Sequence, residues 1–215
     1  MLVDIRTSYD RVAEDYAGQF YRELERKPFD RKMLDWLIER VDGAGPICDM
    51  GCGPGQIARY LRDRGAEACG IDLSAGMVAC ARRLNPDIPF RQGDMLALAD
   101  VADHEFGGIA AFYSIIHIPR ADVVRALGEL KRVLRPAGYL LLTFHIGKEI
   151  LHMDEWYGEE ISLDFTFYET AEMREYLSRA GFDIEEAMER DPYPGVEYQS
   201  RRGYIMGRAA RRSTT

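Results

Sequence analysis

Three glycines and three acids carry the chemistry this sequence displays most openly. Gly51, Gly53 and Gly55 fall at every second position of DMGCGPG, directly after Asp49 and a short apolar run. Glycine lacks a Cβ, so such a run lets the backbone turn sharply and lets a ligand approach it closely. Two more apolar runs end the same way, in Asp72 (GID) and in Asp94 (QGD). A dinucleotide needs G-x-G-x-x-G, with its pyrophosphate on a helix N-terminus. Counting from Gly51, the third glycine's place is taken by Gln56. Asp49 would repel a phosphate and suits a ligand with positive charge. Glycines at a tight turn, and acids capping the next helix, are the plainer alternative.

The elements that must hold these residues follow from the spacing of apolar and breaker residues. Two helices are expected in the first 45 residues: Tyr9 to Phe20, capped by Thr7 or Ser8, and a second opened by Pro28 and running to Val41. Short apolar strands at 46–50, 66–72, 88–94, 106–114 and 139–145 then alternate with helices at 54–64, 75–84 and 120–134. Such alternation predicts an α/β fold, a doubly wound and mostly parallel sheet with helices on both faces. After a helix at 171–180, the runs FDIEEAMER and YQSRRGYIMGRA follow one another with no helix between. They read as a sixth strand and an antiparallel seventh. The expected organisation is a helical cap (1–45), a main domain (46–209) with an acidic and aromatic insertion at 146–169, and a frayed basic tail (210–215). In such sheets ligands sit outside the carboxyl ends of the strands, where Asp49, Asp72 and Asp94 fall.

Composition narrows the classes. The chain has 215 residues, 36 acids against 28 bases and a net charge of −8. A duplex-binding protein carries a basic face, so nucleic acid is disfavoured. No stretch approaches the ~20 apolar residues of a membrane span. Cys48, Cys52, Cys69 and Cys80 form no CxxC pair, which predicts free thiols in a reducing cytoplasm and no metal site. A monomer or homodimer is expected.

DMGCGPG resembles the first motif of the class I S-adenosylmethionine-dependent methyltransferases, acid-x-Gly-x-Gly-x-Gly. GIDLSAGMVACAR is similar to the second, GDML to the third, and LKRVLRPAGYLLLTF to the helix–turn–strand that follows. The likeness runs from about Tyr9 to Gly207, and the family's sheet also ends in a reversed strand. It implies S-adenosylmethionine as cofactor, with its positive charge near Asp49 and the Gly51–Gly55 turn. It also implies Asp72 on the ribose hydroxyls, Leu73 and Met77 against adenine or ribose, Asp94 on the adenine amino group and Met95 on its ring. Tyr9 and Tyr16, seven apart on one helical face, would cover the cofactor, with Tyr113 near its methionine end.

Methyl transfer is an in-line displacement, so the protein mostly positions the acceptor. A base is needed only if the acceptor must lose a proton. His117, beyond the end of strand four, and His145, closing strand five, are the candidate catalytic residues, with packing as the plainer role of each. From Lys148 to Glu175 nine acids face Lys148 and Arg174, with Trp156, Tyr157, Phe165, Phe167 and Tyr168 interleaved. That composition reads as a lid over a small, aromatic or cationic acceptor, or as a solvated acidic surface. Arg201 and Arg202 offer the opposite reading, an anionic acceptor. A small molecule methylated at O, N or C is expected, against tRNA, protein, or a non-catalytic cofactor-binding role.

Overall fold

Strand residues 140–144, LLLTF, alternate across the sheet. Leu140, Leu142 and Phe144 join one hydrophobic core and Leu141 joins the other, every one of them buried. Neither face of this strand meets water, which is why it lacks the polar alternation of a half-exposed strand. The computed structural model of the protein describes residues 4–210. Beyond Ala210 the expected basic tail lies outside the described residues.

The described chain runs α1 (Ile5–Phe20), α2 (Pro28–Val41), β1 (Ile47–Met50), α3 (Gln56–Asp63), β2 (Ala68–Asp72), α4 (Ala75–Leu84), β3 (Phe90–Gln92) and β4 (Phe106–Phe112). It continues with α5 (Val123–Val133), β5 (Leu134–His145), β6 (Ile150–Trp156), β7 (Glu159–Thr166), α6 (Thr170–Arg179), β8 (Phe182–Arg190) and β9 (Arg202–Ala209). Seven strands form one sheet in the order β3-β2-β1-β4-β5-β9-β8. The first five are parallel, and β9 lies antiparallel to both β5 and β8. The order reverses between β1 and β4, which opens a crevice above their carboxyl ends. This is the doubly wound sheet with a reversed last strand that the sequence predicts.

Local chemistry sets the boundaries. Pro28 begins α2, and Ser74 caps α4 by accepting from the Met77 N–H at 3.0 Å. Helix α1 starts earlier than expected, at Ile5, because Asp4 caps it through the Thr7 N–H at 2.8 Å. Ser8 is no cap; it is buried and accepts from the Ser162 N–H at 2.9 Å, tying α1 to β7. The insertion holds two strands that its acidic composition concealed. β6 and β7 form a separate hairpin outside the main sheet. Among the described residues no helix is long and apolar enough to cross a membrane.

Candidate functional site

A cavity of about 690 Å³ opens above the carboxyl ends of β1, β2, β4 and β5. Helix α1 covers one side, the β6–β7 hairpin another, and the loop between β8 and β9 a third. Its wall includes Tyr9, Tyr16, Asp49, Gly51, Gly53, Asp72, Leu73, Met77, Asp94, Met95, Tyr113, His117 and His145. The cleft therefore gathers every expected site residue except Gly55.

The glycines do different jobs. Gly51 has φ +74°, and a Cβ there would lie 2.3 Å from the Ser114 Cβ. Gly53 also has a positive φ, +50°, and a Cβ would meet only the Tyr16 ring, at 3.7 Å. Its bare backbone is thus left open to the cleft. Gly55 corrects the expectation. A Cβ on it would strike Phe90 at 2.8 Å and Asn85 at 2.9 Å, so it lets α3 pack on β3 and is not in the cavity wall.

Asp72 accepts from the Gly53 N–H at 2.8 Å and the Ser74 N–H at 2.9 Å. It therefore shapes the glycine turn as well as facing the cleft. Burial raises its pKa to about 6 against those two backbone bonds. Asp49 is buried, with one hydrogen bond, from the Ala58 N–H at 3.1 Å, and burial drives its carboxyl well above the ordinary range. A cation would restore its charge. Two further wall atoms, Gln56 Oε1 and Ser114 Oγ, are buried without a hydrogen-bond partner. Asp94 accepts from the Leu96 N–H at 2.8 Å. A cation-hungry carboxylate, two orphaned polar atoms and an open glycine backbone fit S-adenosylmethionine, which brings an amino-acid tail, a sulfonium and ribose hydroxyls.

The aromatic cover is layered. Trp156 of the hairpin meets Tyr16 edge-on at 5.5 Å and Tyr9 at 6.4 Å. The Tyr9 hydroxyl is 2.7 Å from His117 Nε2, while His117 Nδ1 is 2.9 Å from the Asp164 carbonyl. A carbonyl only accepts, so Nδ1 carries the hydrogen and Nε2 accepts from Tyr9. Both nitrogens are occupied, and burial lowers the His117 pKa to about 4. His117 thus bolts α1 to the hairpin, where the sequence offered a ready base. His145 also departs from that expectation: burial, then Arg202, lowers its pKa to about 3. Its ring stacks on Phe167 at 4.9 Å.

The insertion's acids point outward. Trp156, Phe165 and Phe167 reach the cavity wall, but none of the nine acids does. Tyr168 is buried instead, donating to the Ile118 carbonyl at 2.7 Å. A cationic acceptor loses its support with those acids. What the sequence concealed is a buried ionic cluster at the far end of the cleft. Asp30 accepts from Tyr204 at 2.7 Å and from Arg190 at 3.0 Å; Arg190 and Glu197 are also paired. Lys27 holds Glu23 at 2.6 Å and Arg202 donates to His145 Nδ1 at 2.7 Å. Asp30 and Arg190 are 160 residues apart, and no local pattern joins them.

Residues 48–142 match the family described as a methyltransferase domain. The chain is 35% identical over 140 residues to the malonyl-[acyl-carrier protein] O-methyltransferase of Enterobacter lignolyticus, covering 65% of this chain and 52% of that protein. It is 30% identical over 148 residues to the demethylmenaquinone methyltransferase of Beutenbergia cavernae, covering 64% and 60% respectively. It thus spans between half and two thirds of these relatives' lengths. Among solved structures, an S-adenosylmethionine-dependent methyltransferase from Methanosarcina mazei superposes with a TM-score of 0.69 at 17% identity, over 77% of this chain and 92% of that one. That likeness speaks for the fold.

Proposed function

We propose that this class I S-adenosylmethionine-dependent methyltransferase moves a methyl group to O, N or C of a small-molecule acceptor held under the hairpin. The observation that carries the reading is one cleft in which Asp49, Asp72 and Asp94 rim three strand ends and an aromatic chamber continues beyond them. Bound, the cofactor supplies a methyl group already activated on a sulfonium. The chain's own residues bind, orient and exclude water. Asp72 accepts from the ribose hydroxyls, Asp94 from the adenine amino group, and Leu73, Met77 and Met95 pack the rings. Asp49 balances the positive charge beside Gly51 and Gly53, while Tyr9, Tyr16 and Tyr113 close over the methionine end. Residues 1–45 act as the cap of a main domain at 46–209.

Holding the reacting atoms ~3–3.5 Å apart accounts for much of such a rate. With their depressed basicity, both histidines are neutral near pH 7, His117 as a packed wall and His145 with an Nε2–H to offer. An acceptor whose nucleophile is already ionised needs neither. The four free thiols suit a reducing cytoplasm.

Calorimetry with S-adenosylmethionine, its demethylated product S-adenosylhomocysteine, and NADH tests the cofactor half. Both sulfur ligands should bind and NADH should not; saturation by NADH alone would overturn the reading. A screen of small acceptors against tRNA and protein fractions, followed by transfer of labelled methyl, tests the other half.

A further inference from the structure

We propose that the Arg202 end of the cleft is an oxyanion subsite, and that the methyl acceptor carries a carboxylate which binds there. The inference rests on the methyltransferase reading above and deepens it. Its basis is the set of hydrogen-bonding atoms on this wall that the protein leaves unmatched.

The carboxylates here are already matched. Glu197 takes Arg190 and the Tyr193 N–H (2.8 Å), with Arg202 Nε at 3.5 Å and Lys27 Nζ at 3.7 Å. Glu23 takes Lys27 at 2.6 Å and Gln56 at 2.9 Å. The donors are not. Arg202 is only 2% exposed and lines the cavity. Its terminal nitrogens donate to His145 Nδ1 (2.7 Å), the Ser200 carbonyl (2.8 Å) and the Tyr198 carbonyl (2.6 Å). Its buried Nε–H completes no hydrogen bond, with Glu197 Oε2 standing off at 3.5 Å.

Arg202 also fixes the state of its neighbour. A guanidinium only donates, so His145 Nδ1 is a bare acceptor and the neutral ring carries its hydrogen on Nε2. That Nε2–H has no protein partner among the described residues. Lys27 is nearly buried as well, and its ammonium lies 5.7 Å from the centre of the Tyr113 ring. The Arg202 guanidinium is 5.3 Å from that centre and the His145 ring 5.2 Å. Three donor groups therefore surround one ring on the cavity wall.

Leaving a buried donor such as Arg202 Nε unmatched is costly, and a carboxylate can match it together with the His145 Nε2–H that faces the cavity. Three cations (Lys27, Arg190, Arg202) face three carboxylates (Glu23, Asp30, Glu197), so the cluster alone is balanced.

The test uses the whole protein saturated with S-adenosylhomocysteine, whose own binding heat reports separately on the cofactor reading. Benzoate, acetoacetate and monomethyl malonate are each titrated against the matching amide. At least one carboxylate should bind at least tenfold tighter than its amide. Arg202→Met should abolish that preference while leaving S-adenosylhomocysteine affinity within about threefold. His145→Phe, which keeps the stack on Phe167 but removes the Nε2–H, should weaken carboxylate binding about threefold or more, so the inference does not hang on one buried variant folding. Equal affinities for every carboxylate and amide pair, or no carboxylate binding below 10 mM, would overturn it. A loss of S-adenosylhomocysteine affinity in folded Arg202→Met comparable to the loss for carboxylates would also overturn it, because the subsite would then serve the cofactor's own carboxylate. No heat from S-adenosylhomocysteine in the parent would remove the cofactor reading and this inference together.

Discussion

The two halves of the cleft are built by different means. The half proposed for the cofactor is made where β1, β2 and β3 end, from residues such as Asp72 with Gly53 and Ser74. The half proposed for the acceptor is assembled from the hairpin, the loop before β9 and the segment before α2, with α1 covering both, and it is held by side chains. Tyr204 reaches Asp30 across 174 residues and Tyr9 reaches His117 across 108. The first half tests the backbone of a strand–turn–helix. The second tests tertiary packing.

If that contrast is right, the largest effects on cofactor affinity come from the strand ends. Asp72→Asn should weaken S-adenosylhomocysteine about 10- to 100-fold, since asparagine keeps one acceptor oxygen and one hydrogen bond to a charged group, ~1.5–3 kcal/mol, is lost. The parent should also lose affinity below pH ~6, where Asp72 takes up its proton, by about tenfold per unit. The variant should lack that fall. Calorimetry across pH 5 to 8 checks both, and an unchanged affinity would reduce Asp72 to a cap for α4.

Gly51→Ala should act on the fold before the ligand. An alanine at φ +74°, with Ser114 Cβ at 2.3 Å, stores strain of about 1–3 kcal/mol, read as a lower denaturant midpoint at constant slope. A variant as stable as the parent would show that the corner has slack.

The smallest effect belongs to the acceptor half. A histidine in the unfolded chain takes its proton near pH 6.5, whereas folded His117 takes it near 4. Between those values the unfolded state binds more protons, so stability is full above pH 6.5 and falls as pH drops toward 4. His117→Phe should show a shallower fall in Tm between pH 7 and 4.5, with S-adenosylhomocysteine affinity at pH 7.5 within about threefold of the parent's. Parallel slopes would mean that His117 is not what links α1 to the hairpin.

The same contrast explains what could be read in the sequence. The alternation of strands and helices, the α4 cap at Ser74 and the acids at strand ends were legible because each depends on a few neighbouring residues. Gly55 was misjudged because its reason for being glycine is Phe90, 35 residues on. The histidines were legible as wall residues but not in their chemistry: burial and Arg202 set the basicity of His145, and neither is written near it. In the hairpin, Ile161, Leu163 and Phe165 of β7 alternate with Ser162 and Asp164, but β6 is exposed along most of its length and shows no such period, so the pair was not legible. The Asp30, Arg190 and Glu197 cluster left no trace at all, since an ion pair between distant elements has no spacing rule.

The two ends of the insertion meet. The Tyr168 N–H donates to the His145 carbonyl at 2.9 Å, and the Gly147 N–H to the Tyr168 carbonyl at 3.4 Å. A segment that leaves and returns at one point pulls little on what carries it, and doubling such a loop costs only ~0.6 kcal/mol of closure entropy. The hairpin between these anchors therefore hangs from the main sheet at one point, and what fixes it over the cleft is its packing on α1, where Val12, Ile161 and Leu163 share one buried cluster.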